Sequence, residues 1–140
     1  MKKNLVYGSY GYTGQLIVER AVKEGLALIL AGRDEKQVRA QAEKFGLEYR
    51  AFSLENTAAL DSALQEVDAV LHCAGPFVLT FRAMAEACIR NKRHYVDISG
   101  EIEGFEALAA MDEEAKRAGI MLLPGGGFDV VPSDCLIAHV

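Results

Sequence analysis

Residues 6–14 read "VYGSYGYTG", from Val6 to Gly14, with glycines at 8, 11 and 14. A short apolar run leads into them. "QLIVERAV" follows, with Leu16, Ile17, Val18, Ala21 and Val22 at helical spacing. The stretch reads as strand, glycine turn, helix. Gly8 permits a sharp turn off the strand, Gly11 lets the backbone approach a bound group, and Gly14 lets the helix sit close on the sheet. A helix starting here turns its unpaired N–H groups and positive dipole end toward whatever the turn holds, which suits a phosphate. Ser9 and Thr13 add hydroxyl donors to a loop completed by Tyr10 and Tyr12. A P-loop is excluded because no Gly-Lys-Ser/Thr follows.

Outward from this loop, short apolar runs alternate with amphipathic stretches. Strands are expected over 4–7, 26–31, 48–52, 69–73, 94–98 and 120–123, and helices over 14–24, 34–45, 57–67, 79–92 and 103–118. The run "LALILA" suits a strand buried on both faces. Asp34 with Gln37 three residues on is a helix-opening pair, and Gly46 stops that helix. Such alternation means βαβ units with right-handed crossovers and a parallel sheet. The expected architecture is a doubly wound α/β domain of about six strands, the Rossmann type, in which a glycine loop after the first strand holds a dinucleotide.

A second part of such a site belongs at the end of the second strand, where "AGRDEK" stands. An acidic residue there would grip a ribose 2′-hydroxyl, and an arginine would accept a 2′-phosphate. Arg33 comes first off the strand and Asp34 is used as the helix cap, so NADP is expected over NAD. A third part follows the fourth strand. In "HCAGPF", Cys73, Ala74, Gly75 and Pro76 give a backbone poor in side chains at the edge where ligands bind. His72 and Cys73 end an apolar strand and are expected to be buried rather than catalytic.

With "GSYGYTG", "AGRD", "CAGPF", "HYVDISGE" and "PGGGFDVVPSD" in that order, the chain resembles the N-terminal domain of saccharopine dehydrogenase-like oxidoreductases. That group includes saccharopine reductases and trans-acting enoyl reductases. The resemblance implies an NAD(P)-binding domain followed by a substrate and dimerisation domain, a small-molecule substrate and a homodimer. The last segment fits: Pro132-Ser133 opens a helix that runs to Val140. Residues 1–131 are expected to be the nucleotide domain, and 132–140 the start of a helix leading to a second domain outside this chain, with one apolar face formed by Cys135, Leu136 and Val140. Two places depart from the family. Ser9-Tyr10 replaces small residues in the glycine loop, and Ser53 stands where an Asp often lies near the adenine.

Asp97, Ser99 and Glu101 after the fifth strand, and Phe128 and Asp129 after the sixth, are candidates for a substrate pocket, each carboxylate serving equally well as a cap or loop brace. No catalytic acid or base is assigned from sequence. The short-chain dehydrogenase pattern Tyr-x-x-x-Lys is absent, since residues 95–99 are "YVDIS". His94 and His139 are scattered, and Cys73, Cys88 and Cys135 show no C-x-x-C spacing, so no metal is expected. A net charge of −5 without a basic block argues against nucleic acid. The apolar run after the opening lysines stops at Tyr7-Gly8, short of an export signal, and no stretch is long enough to span a membrane, so the expected location is cytoplasmic. An NADP-dependent oxidoreductase is expected, with a non-catalytic NADP-binding sensor or scaffold as the alternative.

Overall fold

A computed structural model describes residues 3–140. The opening Met1-Lys2 of the leader reading lies outside the described residues. Six parallel strands form one sheet in the order β3-β2-β1-β4-β5-β6. They are β1 (Asn4–Tyr7), β2 (Leu28–Gly32), β3 (Glu48–Ala51), β4 (Ala69–His72), β5 (His94–Asp97) and β6 (Leu122–Leu123). The helices are α1 (Tyr12–Lys23), α2 (Glu35–Phe45), α3 (Thr57–Leu64), α4 (Phe77–Asn91), α5 (Ile102–Ala109), α6 (Asp112–Ala118) and α7 (Val131–His139). This is the doubly wound order, which reverses between β1 and β4 and opens a crevice at their carboxyl ends.

Period-two alternation along the central strands builds a core on each face. Leu5, Tyr7, Ile29, Ala31, Val70 and Tyr95 pack with Leu60 and Leu64 of α3 and Phe81, Met84 and Cys88 of α4. Val6, Leu28 and Leu30 face the other way, against Val18 and Ala21 of α1 and Val38 and Ala42 of α2. β2 is buried along its whole length, as a central strand covered on both faces must be. Register sets the crevice floor: Tyr7 stands level with Ala31 on one side and His72 on the other. His72 in turn is level with Asp97.

Three elements differ from expectation. α1 starts at Tyr12 with Gly11 as its N-cap, so Gly14 lies inside the first turn. The single helix expected over 103–118 is two, α5 and α6, because Met111 turns inward and packs into the core. Asp112, Glu113 and Glu114 then open α6 at its positive dipole end, and left-handed Gly119 closes it. α7 buries no residue and carries its apolar side chains around its circumference, so the single apolar face expected of it does not form. Among the described residues no helix is long and apolar enough to cross a membrane.

Candidate functional site

A cleft of about 540 Å³ lies at the carboxyl ends of β1, β2 and β4. The glycine loop contributes Gly8, Tyr10 and Gly11, and the end of β2 contributes Gly32 and Arg33. Cys73, Ala74, Gly75 and Pro76 follow β4, with Leu79 and Thr80 from the first turn of α4 and Tyr7 beneath. Three separate sequence segments predicted to share a site therefore meet at one opening.

The glycines do different jobs. Gly8 has φ +83°, and a Cβ there would stand 2.8 Å from Ala74 N and 2.9 Å from Cys73 C, so it serves both the turn and the close approach of the β4–α4 loop. A Cβ on Gly14 would collide with the Gly8 carbonyl and stand 2.7 Å from that of Ser9; the helix is closed on the loop itself rather than on the sheet. At Gly11 a Cβ would meet only Gly8 O, at 3.3 Å. That contact is tight but the backbone there, at φ −65°, is one any residue adopts, which leaves room for a ligand as a further reason for glycine.

Backbone bonds fix the loop. Gly8 N and Ser9 N donate to Ala31 O at 2.8 and 3.3 Å, and Gly11 N donates to Gly8 O at 3.1 Å. Gln41 on α2 donates to Ser9 O at 2.9 Å, and Gln15 donates to Tyr10 O at 2.6 Å. By contrast, the N–H groups of Tyr12, Thr13 and Gly14 have no acceptor among the described residues; α1 has neither a capping side chain nor an acid in its first turn. A helix end with its donors bare, over a glycine whose backbone conformation does not itself require glycine, fits a phosphate group.

Not every predicted residue faces the cleft. Ser9 is fully buried, and its hydroxyl has no partner. It is no open donor to the cleft, because the loop turns that side chain inward. Tyr12 and Thr13 are exposed beyond the rim, and Gly14 is buried behind the loop. Sequence reading missed Tyr7, Gly32, Leu54, Glu55, Leu79 and Thr80 as lining residues, and treated Ser53 only as a doubtful contact. Gly32 had a signal: it directly precedes Arg33 at the strand end. Thr80 had one too, four residues beyond Pro76 on a helix that starts at Phe77 rather than 79.

Charge is confined to the rim. Arg33 is exposed and enters no ion pair among the described residues. Asp34 caps α2: its Oδ1 accepts from Gln37 N at 3.1 Å and its Oδ2 from Gln37 Nε2 at 2.8 Å, which holds its carboxyl below the usual range. The floor is uncharged. Burial pushes the Tyr7 phenol and the Cys73 thiol each up to about 12, and pushes His72 down to about 4. Thr80 donates to Ala74 O at 2.7 Å, so the 2.9 Å contact between its Oγ1 and His72 Nε2 makes that nitrogen the protonated one. His72 Nδ1 is left buried and bare.

The candidates placed after β5 and β6 do not reach the cleft. Asp97 is fully buried and accepts from Tyr95 Oη at 2.6 Å, Ser99 N at 2.9 Å, Ser99 Oγ at 2.7 Å and Gly125 N at 2.9 Å. It braces the glycine turn after β6 against β5. Glu101 precedes α5, where its Oε2 accepts from Gly100 N at 3.2 Å. Phe128 and Asp129 are exposed away from the cleft. Among the described residues no group of three His, Cys, Asp or Glu side chains gathers as a metal site.

A family model described as "Saccharopine dehydrogenase NADP binding domain" matches residues 5–123. The chain is 29% identical to a saccharopine dehydrogenase-like oxidoreductase of Mus musculus, over 93% of this chain and 35% of that protein. It is 31% identical to a lipid droplet localized protein of Caenorhabditis elegans, over 93% of this chain and 34% of the relative. A trans-acting enoyl reductase of Mycobacterium ulcerans is 25% identical, over 97% and 34% of the two. The chain thus spans about a third of the length of the curated relatives it matches. Among solved structures, apo saccharopine dehydrogenase (L-Glu forming) from Saccharomyces cerevisiae shares the fold, with a TM-score of 0.79 and 24% identity, covering 92% of this chain and 28% of that one.

Proposed function

The chain belongs to the saccharopine dehydrogenase NADP binding domain family, and from that premise we propose that it is the cofactor domain of an NADP-dependent oxidoreductase acting on a small molecule. The observation that carries this reading is the set of unspent donors at one rim: the N–H groups of Tyr12, Thr13 and Gly14, and the Arg33 guanidinium. In this reading the α1 terminus and Gly11 receive the pyrophosphate. The backbone of Cys73, Ala74, Gly75 and Pro76 lies along the nicotinamide half, and Arg33 takes the 2′-phosphate. Bound NADPH supplies a hydride; the protein supplies orientation.

The floor of this cleft brings no ready proton chemistry. Tyr7, Cys73 and His72 are all held in their neutral forms by burial, so a proton donor would come from the rim or from residues facing the cleft from elsewhere. Residues 132–140 leading toward a substrate and dimerisation domain, and a cytoplasmic setting, belong to the same reading. The neutral floor equally favours a second reading, an NADP-binding sensor or scaffold without turnover. NADPH consumption by the whole protein against imines, enones and ketones separates the two. Cofactor choice is tested by Arg33→Ala, which should weaken NADPH over NADH by about 1.5–3 kcal/mol, the size of a charge-assisted hydrogen bond. Equal losses for both nucleotides would remove Arg33 from the 2′-phosphate site.

A further inference from the structure

Tyr10 connects the two rims of the cleft. Its ring lies against the backbone of Gly32, where a Cβ would come 3.0 Å from Cζ and 3.1 Å from the phenol oxygen. Glycine at 32 is therefore what lets the phenol reach Asp34, whose N–H donates to Tyr10 Oη at 3.1 Å. The Tyr10 carbonyl is anchored by Gln15, and the half-buried side chain lines the cleft beside Arg33.

The hydrogens at this corner decide what it can bind. Tyr10 Oη accepts from Asp34, and among the described residues its own O–H donates to nothing. Asp34, the acid next to Arg33, has both carboxylate oxygens turned to Gln37, and Glu55 is the acid that lines the cleft itself. Where Tyr10 meets the end of β2, the groups left free among the described residues are a phenol O–H and a guanidinium, both donors. A phosphate monoester takes donors alone, whereas a ribose hydroxyl must also place its own hydrogen.

We infer that Tyr10 is a specificity-determining residue, its phenol O–H donating beside Arg33 to the 2′-phosphate that separates NADP from NAD. This rests on the cofactor reading above. It adds a residue that breaks the small-residue pattern of the family's glycine loop and uses the hydroxyl rather than the ring. A Tyr10 that served only as a wedge over Gly32, or that stacked on the adenine, would treat both nucleotides alike.

Tyr10→Phe keeps the ring over Gly32 and removes only the hydroxyl. The chain is titrated calorimetrically with adenosine 2′,5′-bisphosphate and with AMP, which share the adenine and 5′-phosphate. The bisphosphate should bind about tenfold more weakly to the variant, the loss of one hydrogen bond to a charged group, with AMP changed by less than about twofold. Equal weakening of both ligands, or no change in either, overturns the inference. Arg33→Ala run alongside separates the levels. If it leaves the preference for the bisphosphate intact, the cofactor reading itself falls. If it abolishes that preference while Tyr10→Phe keeps it, only the role of Tyr10 falls. Should Tyr10→Phe not fold, 3-fluorotyrosine at position 10 gives a fluorine resonance that must move more on adding the bisphosphate than on adding AMP; equal movement overturns the proposal.

Discussion

At the carboxyl ends of β1 and β2 the N–H groups of Tyr12, Thr13 and Gly14 and the Arg33 guanidinium have no partner among the described residues, whereas at the end of β5 four donors converge on Asp97. Both regions occupy the edge of the sheet where a doubly wound fold binds ligands. Both carry glycine turns and a polar residue just past a strand. One is open and the other closed on itself. Topology says where a site can be; leftover hydrogen-bonding capacity points to the stretch of that edge suited to a ligand.

The largest test of this contrast falls on the closed side. Asp97→Ala takes the acceptor from Tyr95, Ser99 and Gly125 at once, at a fully buried position, and should cost about 3–5 kcal/mol in urea unfolding. Its NADPH affinity, measured where the variant is still folded, should match the parent. A variant that stays stable but loses the nucleotide would reverse the assignment of the two regions.

Gly11→Val probes the open side. The added Cβ stands 3.3 Å from the Gly8 carbonyl, a tight contact, while the backbone at residue 11 is already extended, with φ −65° and ψ 164°, so the melting temperature should fall modestly. NADPH affinity should fall by at least about a hundredfold, roughly 2.7 kcal/mol, as the branched chain fills the space of the pyrophosphate. Unchanged affinity by fluorescence titration would place the phosphates elsewhere.

His72 stands between the regions, level with Tyr7 on one side and Asp97 on the other. Burial lowers its pKa from 6.5 to about 4, so below pH 6.5 the unfolded chain takes up a proton that the folded chain refuses. Stability is complete above that point and declines as the pH falls toward 4. From about pH 7 to about pH 5 the parent should lose about 2 kcal/mol that His72→Gln does not lose. Parallel pH profiles for the two proteins would mean that His72 takes up its proton as readily in the fold as in the unfolded chain.

Much of this was legible in residues. Six strands, the glycine loop, the Asp34 cap and the meeting of Arg33 with Cys73–Pro76 at one opening follow from periodicity, turn chemistry and the topology rule. The break between α5 and α6 was written in Asp112-Glu113-Glu114, a helix-opening acidic run, but it is cued by Met111 turning inward, a tertiary event. Asp97 and Ser9 could not be judged locally. A carboxylate just past a strand, or a serine in a glycine loop, reads the same whether it faces solvent or a shell of donors. Direction depends on which backbone groups the neighbouring loop brings up, here Gly125 N against Asp97, which no spacing records.

The bonds that hold the glycine loop bear on how fast it works. Gly8, Ser9 and Gly11 donate within the fold, the Ser9 carbonyl is tied to α2, and the Tyr10 carbonyl is tied to α1. The conformational entropy of these residues is thus surrendered during folding and not at the moment of capture. In the proposed reading a dinucleotide arriving here would meet a loop already ordered, and association would be governed by encounter and orientation rather than by waiting for a loop to close.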